Sequence, residues 1–434
     1  MSDFDLVVRA HPNDIGILDG KFAEIGSNLP GSATEEVDAK SLTIFPGVID
    51  SHVHFNEPGR ADWEGFTTGS GAAALGGTTT IFDMPLNSHP PTIDGPAFDA
   101  KRAAAEQSSF VDFGLWGGLV PNNLDQLPVL RDRGVVGLKA FMCNSGIDDF
   151  PYVDLATLKQ GMRIAAELDL LVAIHAESQE ITEQLTRRKV AAGKTTVADF
   201  VESRPVEAEL DAIGAAIDLA ADTGCRLHIV HVSCGRGVEL VADGRSRGVD
   251  VTCETCPHYL LLTEQDMVTI GPPAKCAPPL RPGPDHMSLR DRISDITTVG
   301  SDHSPSPPEM KRSQNFFEVW GGISSCQHLL SLLHLCGHEG NRIRELTSEN
   351  VAKRFGIAHK GRIAIGQDAD FTLLDPNDPV TVTAEALNYR HKQTPYIGRQ
   401  LPRVVRTILR GQTIAADGKV SARPIGKLVR PNRS

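Results

Sequence analysis

The chain has 434 residues, 40% hydrophobic, 23% charged and 5% aromatic. That composition suits one large globular domain with a smaller companion and excludes a disordered or fibrous chain. A net charge of −12, from 43 Lys+Arg against 55 Asp+Glu, opposes nucleic acid and anionic membranes, so neither is an expected partner.

At the N-terminus, Met1-Ser2-Asp3-Phe4-Asp5 has no basic or apolar leader pattern, and no apolar run approaches bilayer length, so a cytoplasmic location is expected. Residues 4–8, 16–25 and 41–44 read as short strands interrupted by Gly, Asn and Pro. From about Pro46 to Asn350, eight β-rich apolar runs follow, at 47–54, 78–85, 111–119, 135–141, 170–177, 226–233, 249–256 and 296–303. Helix-like stretches such as 155–168 and 207–222, with apolar residues three or four apart, alternate with them. This alternation predicts an α/β fold, a (β/α)8 TIM barrel. Beyond it, 361–374 and 404–409 are again strand-like and bounded by glycines, so the two ends of the chain are expected to pair into a small β-sandwich. The expected division is 1–46 plus 358–434 for the sandwich and 47–357 for the barrel.

The cysteines, Cys143, Cys225, Cys234, Cys253, Cys256, Cys276, Cys326 and Cys336, are scattered through apolar surroundings and read as reduced core thiols. Cys253-Glu254-Thr255-Cys256 has zinc-knuckle spacing, but no second pair follows to complete a tetrahedral site.

Barrel enzymes place their chemistry at the C-terminal ends of the strands. The first run closes with His52-Val53-His54, and strand alternation aims both imidazoles the same way, half of a mononuclear metal site. Run four carries Lys139, run five has His175 near its end, run six His231 and run eight Asp302. These six groups suffice for two metals. Lys139 lies in Val135-Val136-Gly137-Leu138-Lys139-Ala140-Phe141, a buried-strand pattern in which a free ammonium is heavily penalised. It could pair with a carboxylate such as Asp83, at the end of run two. Alternatively it could take up carbon dioxide as a carbamate whose oxygens bridge metals roughly 3.5–4 Å apart. Four histidines and Asp302 at neighbouring strand ends favour the carbamate.

His228, three residues before His231, should face the other side of its strand and belong to the core. His89, His258 and His303 fall in loops after strands, where a supporting contact competes with a simple turn role. The remaining histidines are assigned no role.

The set His52, His54, Lys139, His175, His231 and Asp302 resembles the binuclear centre of the amidohydrolase superfamily, in its cyclic-amidase branch. Within that branch the chain is most similar to the allantoinase family, through His52-Val53-His54-Phe55-Asn56-Glu57-Pro58-Gly59-Arg60, Asp83-Met84-Pro85-Leu86-Asn87, Cys253-Glu254-Thr255-Cys256-Pro257-His258-Tyr259 and Trp320-Gly321-Gly322-Ile323. The resemblance implies that His52, His54, carboxylated Lys139 and Asp302 hold one divalent ion, and the same lysine with His175 and His231 a second. Zinc is the expected metal, with cobalt or manganese as alternatives. Asp302 would also act as the catalytic base, and allantoin would open to allantoate. Asn56, Asn87, Asn144, Ala277 and Gly322 are the implied substrate contacts, and a homotetramer is the implied assembly.

Sibling activities share the metal cage. Dihydroorotases typically carry an arginine at the position of Asn56 to hold a carboxylate, and hydantoinases or dihydropyrimidinases a tyrosine at that of Asn144. Both departures favour allantoin. Ala277 stands where relatives often have serine, which removes any hydroxyl contact there. Noncatalytic superfamily members that have lost metal ligands form a further alternative, but every ligand position is filled here.

Overall fold

Residues 3–338 and 340–433 are described by the computed structural model. The first barrel strand, Val48–Val53, is buried along its whole length, as expected for a strand packed on both faces. Parallel pairing then proceeds in chain order through Thr78–Asp83, a third strand of Asp112–Leu115 and Gly117–Gly118, then Leu138–Phe141, Leu171–His175, Arg226–Ile229, Val251–Thr255 and Thr298–Val299. A parallel bridge between Val53 and His303 returns the last strand to the first and closes the barrel. The third strand is interrupted at Trp116, whose indole donates to the Ser51 carbonyl at 3.1 Å.

The strands are shorter than the apolar runs that predicted them. Run 226–233 yields Arg226–Ile229 and run 296–303 yields Thr298–Val299. Their functional ends leave the ladder because His231 and Asp302 adopt φ of 41° and 46°, left-handed values that sheet pairing does not accommodate. The predicted amphipathic stretches form helices Leu155–Glu167 and Val206–Thr223. Asp154 caps the former by accepting from the Thr157 amide at 2.7 Å, while Leu158, Met162 and Ala165 face the core.

The chain ends form two sheets. One runs Lys21–Gly26, Asp14–Leu18, Phe4–Arg9, Ala33–Asp38, and the other Lys419–Val420, Gln412–Ala416, Gln400–Leu409, Phe371–Thr381, Thr43–Pro46. Leu6, Val8, Ile17, Phe22, Phe371, Leu373 and Ile408 share one apolar cluster between them, which makes the expected sandwich. The predicted strand 16–25 is a hairpin turning at Asp19-Gly20, both at positive φ, the Asp-Gly signature of a tight two-residue turn. Strand Ala33–Asp38 was not predicted, because its side chains are mostly polar and exposed.

At the junction of sandwich and barrel, Lys360 Nζ lies 2.9 Å from Asp112 and 2.5 Å from Asp370, and Arg410 also pairs with Asp112. The final segment returns to the barrel, with the Val429 amide donating to Phe113 at 2.8 Å. All eight cysteines are buried free thiols. Among the described residues no helix is long and apolar enough to cross a membrane.

Candidate metal centre and substrate cavity

A cavity of about 630 Å³ opens at the C-terminal ends of the barrel strands, and His52, His54, Lys139, His175, His231 and Asp302 all line it. His52 Nδ1 lies 2.8 Å from Glu254 Oε1, and its Nε2 lies 3.3 Å from Asp302 Oδ1. His54 Nε2 reaches the same Asp302 oxygen at 3.5 Å. Burial alone would raise the Asp302 carboxyl, but His52, His54 and His231 hold it well below the usual carboxylate range. Glu254 accepts from Ser51 as well as His52, and although buried it is drawn down to about 2 by its contacts with His228 and His52.

The second half of the constellation is built alike. His175 Nε2 meets Glu177 Oε2 at 2.7 Å, and its Nδ1 faces His231 Nε2 at 3.0 Å. Glu177 is gripped by Arg204 through contacts of 3.0 and 2.5 Å, and this pairing, with His175, outweighs burial and takes its carboxyl to about 2. The Phe141 ring stacks on His175 at 4.7 Å and fixes its plane.

Between the two halves stands Lys139. It is fully buried, with no hydrogen-bond partner for Nζ among the described residues, and its nearest aromatic support is the Phe141 ring at 4.9 Å. Burial pushes its amine down to about 7. Asp83, the alternative partner, is engaged elsewhere: it pairs with Lys101 Nζ at 2.6 Å and accepts from the Phe55 amide at 2.7 Å.

These residues fit divalent metal ions. His54 Nδ1, His231 Nδ1 and Lys139 Nζ are buried donors or ligands without partners, an arrangement that is costly unless something satisfies it. Ligand atoms of His52, His54 and Asp302 lie within 4.8 Å of one another. Burial also lowers the pKa values of His54, His175 and His231, which keeps the rings neutral and able to donate lone pairs.

Asn87, Asn144, Ala277 and Gly322 line the cavity too. Asn56, two residues after His54, is fully buried at φ 65°, with Nδ2 3.4 Å from the Pro305 carbonyl and no hydrogen-bond partner for Oδ1 among the described residues. His228 is buried as expected, bonded to Thr252 at 2.8 Å and approaching Glu254 at 3.9 Å. His303 accepts from the Ser325 amide at 3.1 Å, His89 is exposed beside Asp149, and both nitrogens of buried His258 lack partners.

Glu254, Glu177 and Arg204 escaped the sequence reading. Glu177 did carry a signal, because it follows His175 by two residues. Arg204 carried none, being brought in by a segment far from any strand end.

The amidohydrolase family model matches residues 43–414. A curated protein named allantoinase from Rubrobacter xylanophilus is 53% identical, covering 100% of this chain and 99% of its own length. Another of that name from Deinococcus radiodurans is 48% identical over 96% of this chain and 95% of its own. Among solved structures, an L-hydantoinase (dihydropyrimidinase) from Arthrobacter aurescens superposes with a TM-score of 0.95 at 34% identity, covering 98% of this chain and 100% of that one. This chain belongs to the amidohydrolase family.

Proposed function

We propose that the protein is an allantoinase, hydrolysing the cyclic amide of allantoin to allantoate in purine and ureide catabolism. The observation that carries the reading is the unpaired, buried Lys139 amine among four histidines and Asp302, in a chain half identical to proteins named allantoinase. The working unit is the barrel, 47–357, and the sandwich, 1–46 plus 358–434, supports it; a cytoplasmic homotetramer is the proposed assembly.

In this reading His52, His54, Asp302 and a carbamate on Lys139 hold one ion, and His175, His231 and the same carbamate the other, with zinc as the metal. The carbamate forms when the neutral amine of Lys139 attacks carbon dioxide, making one N–C bond and releasing one N–H proton to solvent. When bound, the ions supply Lewis acidity at the ring carbonyl and lower the pKa of water. Asp302 takes the proton of the attacking water and passes it to the departing ring nitrogen. Glu254 and Glu177 fix the tautomers of His52 and His175.

Substrate charge follows from the wall. Of its two arginines, Arg204 is committed to buried Glu177 and Arg187 is exposed beside Glu183, so no buried, unpaired guanidinium awaits a substrate carboxylate. That favours a neutral ureido ring over dihydroorotate. Metal-loaded protein offered allantoin, dihydroorotate and hydantoin side by side should open allantoin fastest, and a preference for either other ring would overturn the assignment.

A further inference from the structure

Two buried lysines that no step above uses hold one wall of the cavity. That wall is the segment containing Phe317, Glu318, Val319, Trp320, Gly321 and Gly322. Lys275 Nζ donates to the Phe316 carbonyl at 2.6 Å and to the Val319 carbonyl, with Phe317 O at 3.4 Å. It also stands 4.6 Å from the Phe200 ring centroid and 5.2 Å from that of Phe316. Lys311 Nζ donates to the carbonyls of Trp320 and Gly322, both at 2.9 Å, with Pro272 O at 3.4 Å. The Gly322 amide in turn donates to the Lys275 carbonyl at 2.7 Å. Among the described residues no carboxylate lies within ion-pair distance of either ammonium.

An irregular wall of successive residues turns carbonyls inward, where each unmet acceptor is costly. A lysine amine carries several donors on a flexible stem and can meet more than one such carbonyl at once. Both lysines have this geometry, with their six shortest contacts all to main-chain oxygens. Gly322 is held on both sides, its amide by Lys275 and its carbonyl by Lys311, at a φ of 138° that only glycine adopts readily.

We propose that Lys275 and Lys311 are positioning residues that set the shape of the wall from Phe317 to Gly322 and thereby which ring the cavity accepts. The proposal rests on the reading of this cavity as the allantoin site. Neither lysine touches the histidine constellation, so metal content should not depend on them.

The test compares metal-loaded wild type with Lys275→Met, Lys311→Met and Lys311→Arg, measuring KM and kcat for allantoin and hydantoin, bound metal, and amide exchange across 313–322. In Lys311→Met, KM for allantoin should rise about tenfold while kcat falls less, the discrimination against hydantoin should shrink, and amide exchange in the wall should quicken at constant metal content. Lys311→Arg, which can donate to the same carbonyls, should recover part of the loss. An unchanged KM and ring ratio, or a loss confined to kcat with loss of metal, would overturn the proposal. So would failure of both methionine variants to fold, which would assign the lysines to folding. If wild type preferred another ring, the functional reading would fall, and the wall would then be judged on KM for that ring.

Discussion

Lys139 and Lys360 are the same side chain, both buried, in two regions that treat it in opposite ways. At the sandwich junction, Asp370, Asp112 and Asp368 surround Lys360 within 3.5 Å, and the first two raise its pKa in spite of burial. At the barrel mouth Lys139 has no such neighbour in contact, and burial pushes it down to about 7. Charge at the junction is neutralised to hold two units together, whereas at the mouth an amine is left reactive. A buried lysine is therefore informative through its neighbours rather than through its depth.

The largest effect expected from breaking this contrast is that of Lys139→Ala. Turnover of allantoin should fall at least ~10³-fold and the binuclear metal content should drop, with partial rescue by added short carboxylic acids. Near-normal turnover with two metals bound would make the lysine an ordinary buried cation. Asp302→Asn keeps an oxygen at the same place but cannot take a proton, so kcat should drop at least ~10²-fold while metal content changes less. An unshifted pH profile with substantial activity would move the proton transfer elsewhere.

Lys360→Met sharpens the comparison from the other side. Removing the cation leaves Asp370 and Asp112 crowded and buried, and stability should fall by about 3–5 kcal/mol in urea denaturation, with metal content and kcat of the folded fraction retained. A loss of kcat at unchanged stability would place Lys360 in the chemistry instead. The smallest effect is that of Glu177→Gln, for which metal binding should weaken about tenfold. Glu177 is lowered from 4.5 to about 2 in the folded protein, so its contribution is present above pH 4.5 and disappears as pH falls toward 2. The variant should lose part of the wild-type decline in stability across that window, and an identical acid profile would show that the Arg204 contact does not couple to folding.

The barrel was legible because its signal is local. Apolar runs such as 135–141 and 170–177, each followed by a helical pattern, specify βα units whatever lies elsewhere in the chain. His52 and His54 announced themselves in the same way, two residues apart at the end of such a run. Strand Ala33–Asp38 was invisible because an exposed, charged strand carries no alternation to read.

By itself, then, the sequence determined the eight-unit barrel, the pairing of the chain ends in a sandwich and the residue types at the strand ends, all set by patterns within a few residues. Only the tertiary structure decided that Asp83 goes to Lys101 and leaves Lys139 unpaired, and that Glu254 reaches His52 across 202 residues of chain. The same holds for Arg204 on Glu177 and for the two lysines bonded to the carbonyls of the cavity wall. Such partnerships depend on distance and dielectric in space, which no local pattern of residues records.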